Sequence, residues 1–254
     1  SSLDWDARGR LWVASTPGYP EKEEFSGVPA RDEIAILHDR DGDGRMDDRT
    51  VFADGLDLVT SFVIHGDGVS AAQAPEILWL RDTDGDDRAD RREVLFRGFG
   101  YSDTHAVISN FRRGLDGWIY GTQGYSGNGS RHVTGPDALG SVDHGHVGNG
   151  VFRFRPDGSA IETVSSYGSN TWGLDFAADG ELFFTMANGS HLRHVVLPES
   201  VLAEARFGDA RSWREIVDHD RVARISRAER AVYRQIDFVG GFTAASGCLI
   251  YDGG

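Results

Sequence analysis

Short apolar segments bounded by charged and turn residues recur along the chain, and two of them share one pattern. Residues 33–39 are Glu-Ile-Ala-Ile-Leu-His-Asp, and residues 76–82 are Glu-Ile-Leu-Trp-Leu-Arg-Asp. An acidic turn follows each of them, and then a second apolar segment, at residues 50–56 and 93–99. Apolar runs of this length between turn residues are typical of β-strands. The pattern therefore predicts two β-hairpins, each with an acidic turn at its tip.

A second hairpin pattern recurs through the whole chain. It consists of a strand, a turn with Asp or Gly, and a second strand that ends in small residues. Its copies begin near residues 3, 63, 115, 174 and 242. They lie roughly 50 to 65 residues apart, the scale of one four-stranded propeller blade with its loops. This repetition favours an all-β propeller with about four and a half blades over a β-sandwich, the alternative all-β fold.

One stretch, residues 197–234, departs from this pattern. It contains two segments with helical propensity, 198–206 and 227–234, with Ser200 and Ser226 as candidate N-cap residues. We interpret it as a partly helical insertion between blades. Because a propeller closes only when its first and last blades meet, we expect residues 1–254 to form a single β-propeller domain that is an incomplete segment of a longer chain.

The turns at the tips of the two acidic hairpins carry carboxylates at alternate positions. Alternate side chains of a tight loop can turn toward one point, where their charges repel unless a cation lies between them. Oxygen-only ligands favour calcium, so the spacing predicts two calcium sites. The predicted ligands are Asp39, Asp41, Asp43, the carbonyl of Arg45 and Asp47 in the first loop, and Asp82, Asp84, Asp86, Arg88 and Asp90 in the second.

The alternative interpretation of these loops is an acidic turn exposed to solvent. Gly44 occupies the sixth position of the first loop, where the chain turns sharply, and Asp87 replaces it in the second. Asp tolerates a left-handed backbone better than most residues, so both loops can form the same turn. An EF-hand is not expected, because the flanks are strands and the twelfth position of the first loop is Thr50 rather than Glu.

The net charge of the chain limits the classes of partner that it is expected to bind. Its 254 residues include 40 acidic and 26 basic ones, which gives a formal net charge of -14. Nucleic acid is therefore not an expected partner, and no apolar run long enough for direct membrane insertion is visible. The single cysteine, Cys248, excludes an intrachain disulfide. Calcium loops suit a periplasmic or secreted protein, so we expect an extracytoplasmic location, although no signal segment is visible in the sequence.

The candidate chemical groups are histidine and asparagine residues near strand ends. His105 immediately precedes a hairpin, where the inner end of a blade would direct it into the central funnel, and a neutral imidazole there can act as a general base. Asn170 opens the next repeat in the same way and can hydrogen-bond a polar cofactor or substrate. His191 and His194 follow the end of a later strand. Each of these residues also has a structural alternative, such as capping a turn.

His144 and His146 are two imidazoles on one side of an extended segment, which is either a metal-binding or ligand-binding pair or part of a glycine-rich surface loop. The sequence contains no nucleophile elbow, P-loop, dinucleotide-binding glycine motif or C-x-x-C.

Motifs that span nearly the whole chain resemble one family. They are residues 75–86 (PEILWLRDTDGD), Thr104-His105 with residues 114–124 (GLDGWIYGTQG), residues 170–174 (NTWGL), residues 191–194 (HLRH) and residues 241–251 (GFTAASGCLIY). On these motifs the chain resembles the six-bladed propellers of pyrroloquinoline-quinone-dependent glucose/sorbosone dehydrogenases. It is most similar to bacterial propeller domains described as membrane-bound dehydrogenases, which often precede helical repeats and a c-type haem domain.

The resemblance implies roles for individual residues. His105 matches the catalytic base that takes a proton from a sugar hydroxyl while hydride passes to the quinone. Asn170 matches a position beside the quinone-binding arginine, and His191 and His194 lie in a matching motif that we assign to the cofactor. The arginine position itself is Ser169 here, which removes a charge-assisted partner for the quinone carboxylates.

Two functions are compatible with these features. The first is an extracytoplasmic quinone-dependent sugar or alcohol dehydrogenase with structural calcium, in which a haem c domain or another protein partner in the full-length chain accepts the electrons. The second is a non-catalytic, calcium-stabilised propeller that binds carbohydrate or a protein partner, which the serine at position 169 favours.

Overall fold

The predicted hairpins that fall on described residues form, and β-strand is the main regular secondary structure of the described chain. The structure is a computed structural model that describes residues 2–130, 132–135, 142–167, 170–187, 191–216 and 246–251. The strands are β1 (Leu3–Trp5), β2 (Leu11–Ser15), β3 (Asp32–His38), β4 (Asp48–Leu56), β5 (Ser61–His65), β6 (Gly68–Gln73), β7 (Glu76–Arg81), β8 (Arg91–Arg97), β9 (Ile108–Arg113), β10 (Ile119–Gln123), β11 (His132–Thr134), β12 (Asp143–His146), β13 (Gly150–Phe154), β14 (Ile161–Ser166), β15 (Thr171–Phe176), β16 (Leu182–Met186), β17 (Leu192–Val195) and β18 (Trp213–Glu215). Two short α-helices, α1 (Glu23–Ser26) and α2 (Glu199–Ala205), and a 3-10 turn at Tyr125–Gly129 complete the described elements.

These strands form several antiparallel sheets, consistent with a β-propeller. The sheet orders are β1-β2-β3-β4, β5-β6-β7-β8 with β11 and β12 added at the β8 edge, β9-β10-β13-β14, and β15-β16-β17-β18. The first strands of successive sheets are neighbours, since β5 contacts both β1 and β9, and β9 contacts β15. The first strands of the four sheets therefore lie side by side.

Aromatic and branched side chains fill the space between successive sheets. One apolar cluster joins the first sheet to the second, another joins the second to the third, and another joins the third to the fourth. In the middle cluster the Phe111 ring lies 5.3 Å from the Phe154 ring and 6.3 Å from the Phe152 ring, centroid to centroid. The recurring aromatic residues of the sequence are mainly core residues between sheets rather than a binding surface.

The stretch at residues 197–234 differs from its predicted form. Helix α2 lies within the predicted helical segment, but its N-cap is Pro198 without a side-chain hydrogen bond, so Ser200 does not cap it. Strand β18 follows and pairs with β17, which makes it the fourth strand of its sheet rather than part of an insertion. Ser226 and residues 227–234 lie outside the described residues.

The last predicted repeat is described only in part. Residues 246–251 run beside β15, where the amide of Ile250 donates a hydrogen bond to the Asp175 carboxylate at 2.7 Å, and no strand is assigned to them. Residues 242–245 lie outside the described part of the chain. Among the described residues, no helix has the length and apolar character needed to cross a membrane.

The buried His65 makes stability depend on pH. Its imidazole is 6% exposed and lies 2.7 Å from the Ser70 hydroxyl, and burial, followed by the positive charge of Arg113, lowers its pKa to about 4. Between pH 6.5 and 4 the unfolded chain therefore binds a proton that the folded chain does not. The free energy of unfolding should fall as pH drops through this window, by about 2 to 3 kcal/mol, and level off below it.

Urea unfolding of the intact protein at a series of pH values from 7.5 to 4 measures this dependence. The His65→Gln variant should show a shallower slope between pH 6.5 and 4, because its side chain does not titrate there. Identical slopes for the two proteins would show that His65 does not contribute.

Candidate functional site

A cavity of about 440 Å³ opens where the first strands of neighbouring sheets begin or end. Hydroxyl, amide and aromatic groups line it, together with one imidazole. Its described lining residues are Thr16, Tyr19, Val59, Thr60, Thr104, His105, Val107, Ser109, Asn110, Trp172 and Gly247. They come from strands β9 and β15, from the segments just before β5 and β9, from the loop after β2 and from residue 247. The cavity therefore belongs to the arrangement of the sheets rather than to one hairpin.

His105 lies on a turn between β8 and β9 that a buried serine holds in place. Ser126 is fully buried, and its hydroxyl donates to the Asp103 carbonyl at 2.6 Å while it accepts from the Asp103 amide at 2.9 Å. The Asp103 carboxylate then accepts a hydrogen bond from the His105 amide at 3.0 Å and lies 3.4 Å from the His105 Nδ1. The turn thus fixes the backbone of His105 while its side chain remains 58% exposed to the cavity and solvent.

The loop between β2 and β3 brings a tyrosine to this histidine. The Tyr19 ring meets the His105 ring edge-on, with centroids 5.4 Å apart and planes at 80°. Burial, followed by the negative charge of Asp103, raises the pKa of the Tyr19 hydroxyl. Tyr19 is itself one of the residues that line the cavity.

A buried ion pair holds this loop. Lys22, the single lysine of the sequence, is 4% exposed, and its ammonium group lies 2.7 Å from the Asp57 carboxylate and donates to the Asp57 carbonyl at 3.2 Å. Phe25 of the same loop stacks on Tyr101, which lies between β8 and β9, at 5.9 Å between centroids. The loop is therefore anchored by two contacts that follow Tyr19 in the chain.

Asn110 is a site residue that the sequence pattern does not reveal. It lies inside β9 with φ 58°, in the left-handed region, where the register between β9 and β10 shifts around Gly121. Such a bulge redirects a side chain and is frequent beside functional sites. Its amide nitrogen donates to the Ser109 hydroxyl at 2.7 Å, to the Thr122 hydroxyl at 2.9 Å and to the Trp172 carbonyl.

Of the four predicted catalytic or cofactor-binding residues, the structure brings His105 to the cavity. Asn170 packs its Oδ1 toward Gly124, and this buried atom has no partner within the described ranges. The carbonyl of His191 accepts a hydrogen bond from the Met186 amide at 2.9 Å. His194, on β17, pairs with Glu181 and stacks on Phe183 at 4.8 Å. None of these three belongs to the described lining of the cavity, and Ser169 lies outside the described residues.

The two histidines of β12 are in different surroundings. His144 packs edge-on against the buried Phe96 at 5.5 Å between centroids, whereas His146 is exposed and lies opposite His132 in the β11–β12 pairing. The imidazole of His132 in turn contacts the Asp143 carboxylate at 2.7 Å. The segment that carries both predicted imidazoles extends the outer edge of the second sheet, away from the inner strands.

Each acidic loop gathers three of its predicted carboxylates. The loops join β3 to β4 and β7 to β8, and the ligand atoms of each group lie within 4.8 Å of one another. The groups are Asp39, Asp41 and Asp43 in the first loop and Asp82, Asp84 and Asp86 in the second. The ninth-position residues are outside both groups, because Asp47 accepts from the Arg40 amide and Asp90 accepts from the amide and hydroxyl of Thr83.

The two loops share one hydrogen-bond pattern. The first-position carboxylate accepts from the backbone amides of the fourth and sixth positions, at 2.7 and 2.9 Å for Asp39 and at 2.7 and 2.8 Å for Asp82. Asp87 has φ 67° where Gly44 has φ 84°, so the left-handed turn expected of Asp87 forms. In the second loop the negative charge of Asp86 is the largest of the causes that raise the pKa of Asp84, as expected for carboxylates that lie close together.

Asp87 also links its loop to the preceding sheet. Its carboxylate accepts a hydrogen bond at 2.7 Å from the Arg10 guanidinium, which also pairs with Asp6 at 2.6 Å. The Trp12 indole donates to the same Asp6 carboxylate at 3.0 Å. The substitution of glycine by aspartate in the second loop therefore gives a contact between the first two sheets.

The cavity can be compared with the chemistry of pyrroloquinoline quinone, the cofactor implied by the resemblance. Tyr19 and Trp172 offer aromatic faces to a planar ring, but no lysine or arginine is among the described residues that line the cavity. The carboxylates of the quinone need cationic or donor-rich partners. The described lining does not fit this cofactor.

The solved structures that are similar to the chain at low sequence identity include three with described functions. The first is the PQQ-bound form of aldose sugar dehydrogenase from Streptomyces coelicolor, which is 19% identical with a TM-score of 0.48 and covers 78% of this chain and 59% of that chain. The second is a protein from Thermus thermophilus described as an oxidoreductase (glucose dehydrogenase), with 16% identity, a TM-score of 0.39 and coverages of 78% and 61%. The third is a catalytically inactive virginiamycin B lyase from Staphylococcus aureus with quinupristin, with 14% identity, a TM-score of 0.42 and coverages of 76% and 65%. The chain spans less than two thirds of the length of each of these structures.

No curated protein matches the chain. One family does match it over residues 2–254, nearly its whole length. The chain therefore belongs to the family described as Domain of unknown function (DUF7133).

Proposed function

We propose that the chain binds a neutral carbohydrate in the His105 cavity, with His105 as a hydrogen-bond acceptor for a ligand hydroxyl. The observation that carries this proposal is the chemistry of the described lining, in which hydroxyl, amide, imidazole and aromatic groups surround a space of about 440 Å³ without a charged lysine or arginine. Neutral hydroxyl groups can donate to and accept from such partners, whereas the described lining offers no cation to balance the charge of an anionic ligand.

The aromatic groups support the same ligand class. Tyr19 and Trp172 line the cavity, and aromatic faces bind the apolar C–H face of a sugar ring by burying its surface, while hydroxyls at the ring edge reach polar side chains. His105 is held at its backbone by the Asp103 turn, and its imidazole contacts the Asp103 carboxylate and the Tyr19 ring. These contacts restrict the side chain, which limits the entropy lost on binding.

The test is a titration of the intact protein with D-glucose, D-galactose and cellobiose, followed by calorimetry or by saturation-transfer NMR. We expect at least one of these sugars to bind, and we expect His105→Ala to raise its Kd by about three- to tenfold, because one hydrogen bond contributes about 0.5 to 1.5 kcal/mol. His146→Ala is the matched control, because that exposed imidazole lies on the outer strand β12, and it should leave Kd unchanged.

The competing function is the quinone-dependent dehydrogenase. Added pyrroloquinoline quinone is expected neither to bind the intact protein nor to support dye-linked oxidation of the sugars. Quinone binding with sugar oxidation that disappears in His105→Ala would replace our proposal with that function. Absence of binding to every sugar tested would reject the carbohydrate proposal.

The proposal also assigns calcium to the two acidic loops, as a structural ion. Three carboxylates within 4.8 Å in each loop, one repeated backbone geometry and oxygen-only ligands support calcium as the cation. Both loops lie at hairpin tips between the third and fourth strands of their sheets, so the ion would act on stability rather than at the cavity. We further propose that the chain is part of a six-bladed propeller and that the protein is extracytoplasmic, because calcium is abundant outside the cytoplasm.

A further inference from the structure

Two polar side chains that line the cavity donate their side-chain hydrogen bonds to other groups of the protein. The first is Asn110, whose amide nitrogen faces the carbonyl of Trp172, an acceptor without a hydrogen. This neighbour fixes which end of the amide is nitrogen and which is oxygen. The same nitrogen also donates to the hydroxyls of Ser109 and Thr122, so its donors are fully used.

The oxygen of this amide is left for a ligand. No donor within the described ranges hydrogen-bonds to Asn110 Oδ1, and this atom is not among the buried unsatisfied ones. Because Asn110 lines the cavity, its oxygen is an acceptor directed to the cavity side. The left-handed φ of 58° at this position costs about 1 kcal/mol or more for a residue with a Cβ, which is compatible with a side chain retained for its function.

Thr60 is the second such residue. Its hydroxyl donates to the carbonyl of Ile108 at 2.5 Å, with the carbonyl of Ala72 at 3.4 Å. The single hydrogen of the hydroxyl is therefore used by the backbone of the neighbouring strand, and the lone pairs of Oγ1 remain. Two groups from different sheets, Asn110 in β9 and Thr60 before β5, thus both present acceptors at the cavity.

We infer that the cavity selects its ligand by hydrogen-bond donors, with Asn110 Oδ1 and Thr60 Oγ1 as specificity-determining acceptors for two hydroxyl groups of a neutral carbohydrate. This inference rests on the proposed function and names the groups that discriminate. A ligand hydroxyl replaced by hydrogen or by a methyl ether leaves an acceptor unpaired in the complex, which costs more than the hydrogen bond itself contributed. Carboxylates, which have acceptors only, are rejected by the same pair.

The experiment compares a bound sugar with its deoxy and O-methyl analogues. For the sugar among D-glucose, D-galactose and cellobiose that binds the intact protein most tightly, at least two single-position analogues should show a Kd raised by about tenfold or more. Asn110→Gly should abolish discrimination at one of those positions and Thr60→Val at the other, since each variant lacks the acceptor concerned.

Matched variants separate specificity from folding. Glycine accepts the left-handed backbone of position 110 without strain, and Arg206→Gly makes the same change at the φ 54° residue after α2, so it should bind every analogue like the unaltered protein. Thr60→Ser keeps the acceptor and should keep the discrimination.

Analogues that bind as tightly as the parent sugar would overturn the inference while the carbohydrate function stands. Discrimination that is retained in Asn110→Gly and Thr60→Val would overturn it as well. Failure of every sugar to bind the unaltered protein would instead reject the proposed function, so the two failures are distinguishable.

Discussion

Removal of calcium is expected to lower the melting temperature of the intact protein by about 5 to 10 °C for each loop. An ion that binds the folded loop but not the unfolded chain stabilises by mass action, which amounts to about 2.7 kcal/mol at a calcium concentration one hundred times Kd. In a domain of this size each kcal/mol changes the melting temperature by about 2 to 4 °C. Differential scanning calorimetry in calcium and then in excess chelator measures the change.

The Asp41→Ala variant tests which loop is responsible. In calcium it should melt about 5 to 10 °C below the unaltered protein, because one loop has lost a ligand. In chelator the two proteins should melt together, since the protein contact of the Asp41 carboxylate is a hydrogen bond from the Asp43 amide at 3.2 Å on an exposed loop. Asp209→Ala, which removes an exposed carboxylate outside both loops, should have no effect in either buffer. Equal melting with and without chelator would refute the calcium assignment.

Loss of the buried lysine should weaken both the fold and the cavity. Lys22→Ala leaves Asp57, whose side chain is 23% exposed, without its cation, and we expect the free energy of unfolding to fall by about 2 to 3 kcal/mol, below the full cost of breaking a completely buried pair. The loop also carries Tyr19 to His105, so the Kd of a bound sugar should rise by about tenfold. Urea unfolding and sugar titration measure the two effects.

Two variants make this result specific. Lys22→Met with Asp57→Asn removes both charges together and should recover part of the lost stability, because no uncompensated charge remains. Arg31→Ala removes an exposed cation at the far end of the same loop and should change neither quantity. A Lys22→Ala protein that binds sugar like the unaltered one would show that the loop does not shape the cavity.

The hairpins and the acidic loops were predictable because they depend on local sequence. Apolar runs between turn residues define β3, β4, β7 and β8, and the alternate aspartates repeat at one spacing. Even the exception at Asp87 follows from the tolerance of Asp for a left-handed backbone, and its φ of 67° agrees. The position of His105 at the start of a repeat was likewise sufficient to place it near the inner strands.

The rest of the cavity depends on contacts that local patterns do not encode. Tyr19 reaches His105 through a long loop whose anchor, the Lys22 pair with Asp57, joins residues far apart in the sequence. In the sequence, Asn110 looks like any other polar residue of a strand. Its position at the cavity depends on the bulge opposite Gly121, which local patterns do not predict. Strands β11 and β12 lie in a glycine-rich stretch without strand periodicity, yet β11 pairs with β8 and β12 pairs with β11, which makes them part of a sheet.

Asn170 and His194 do not belong to the described lining of the cavity, and their cofactor-binding role stays a prediction. Asn170 opens its repeat as His105 does, which suggested a hydrogen bond to a cofactor or substrate, and its Oδ1 lies close to Gly124. His194 is engaged by Glu181 and Phe183 on the outer half of its sheet. In both positions the neighbouring strands, rather than the residue type, determine whether a polar group reaches the cavity.

The most direct test of carbohydrate binding at the His105 cavity is a crystal structure of the intact protein with the sugar that binds it. We predict that the sugar ring packs against Tyr19 or Trp172 and that its hydroxyl groups lie within hydrogen-bond distance of His105 and of Asn110 Oδ1. A sugar bound elsewhere on the protein, or pyrroloquinoline quinone bound in this cavity, would contradict it.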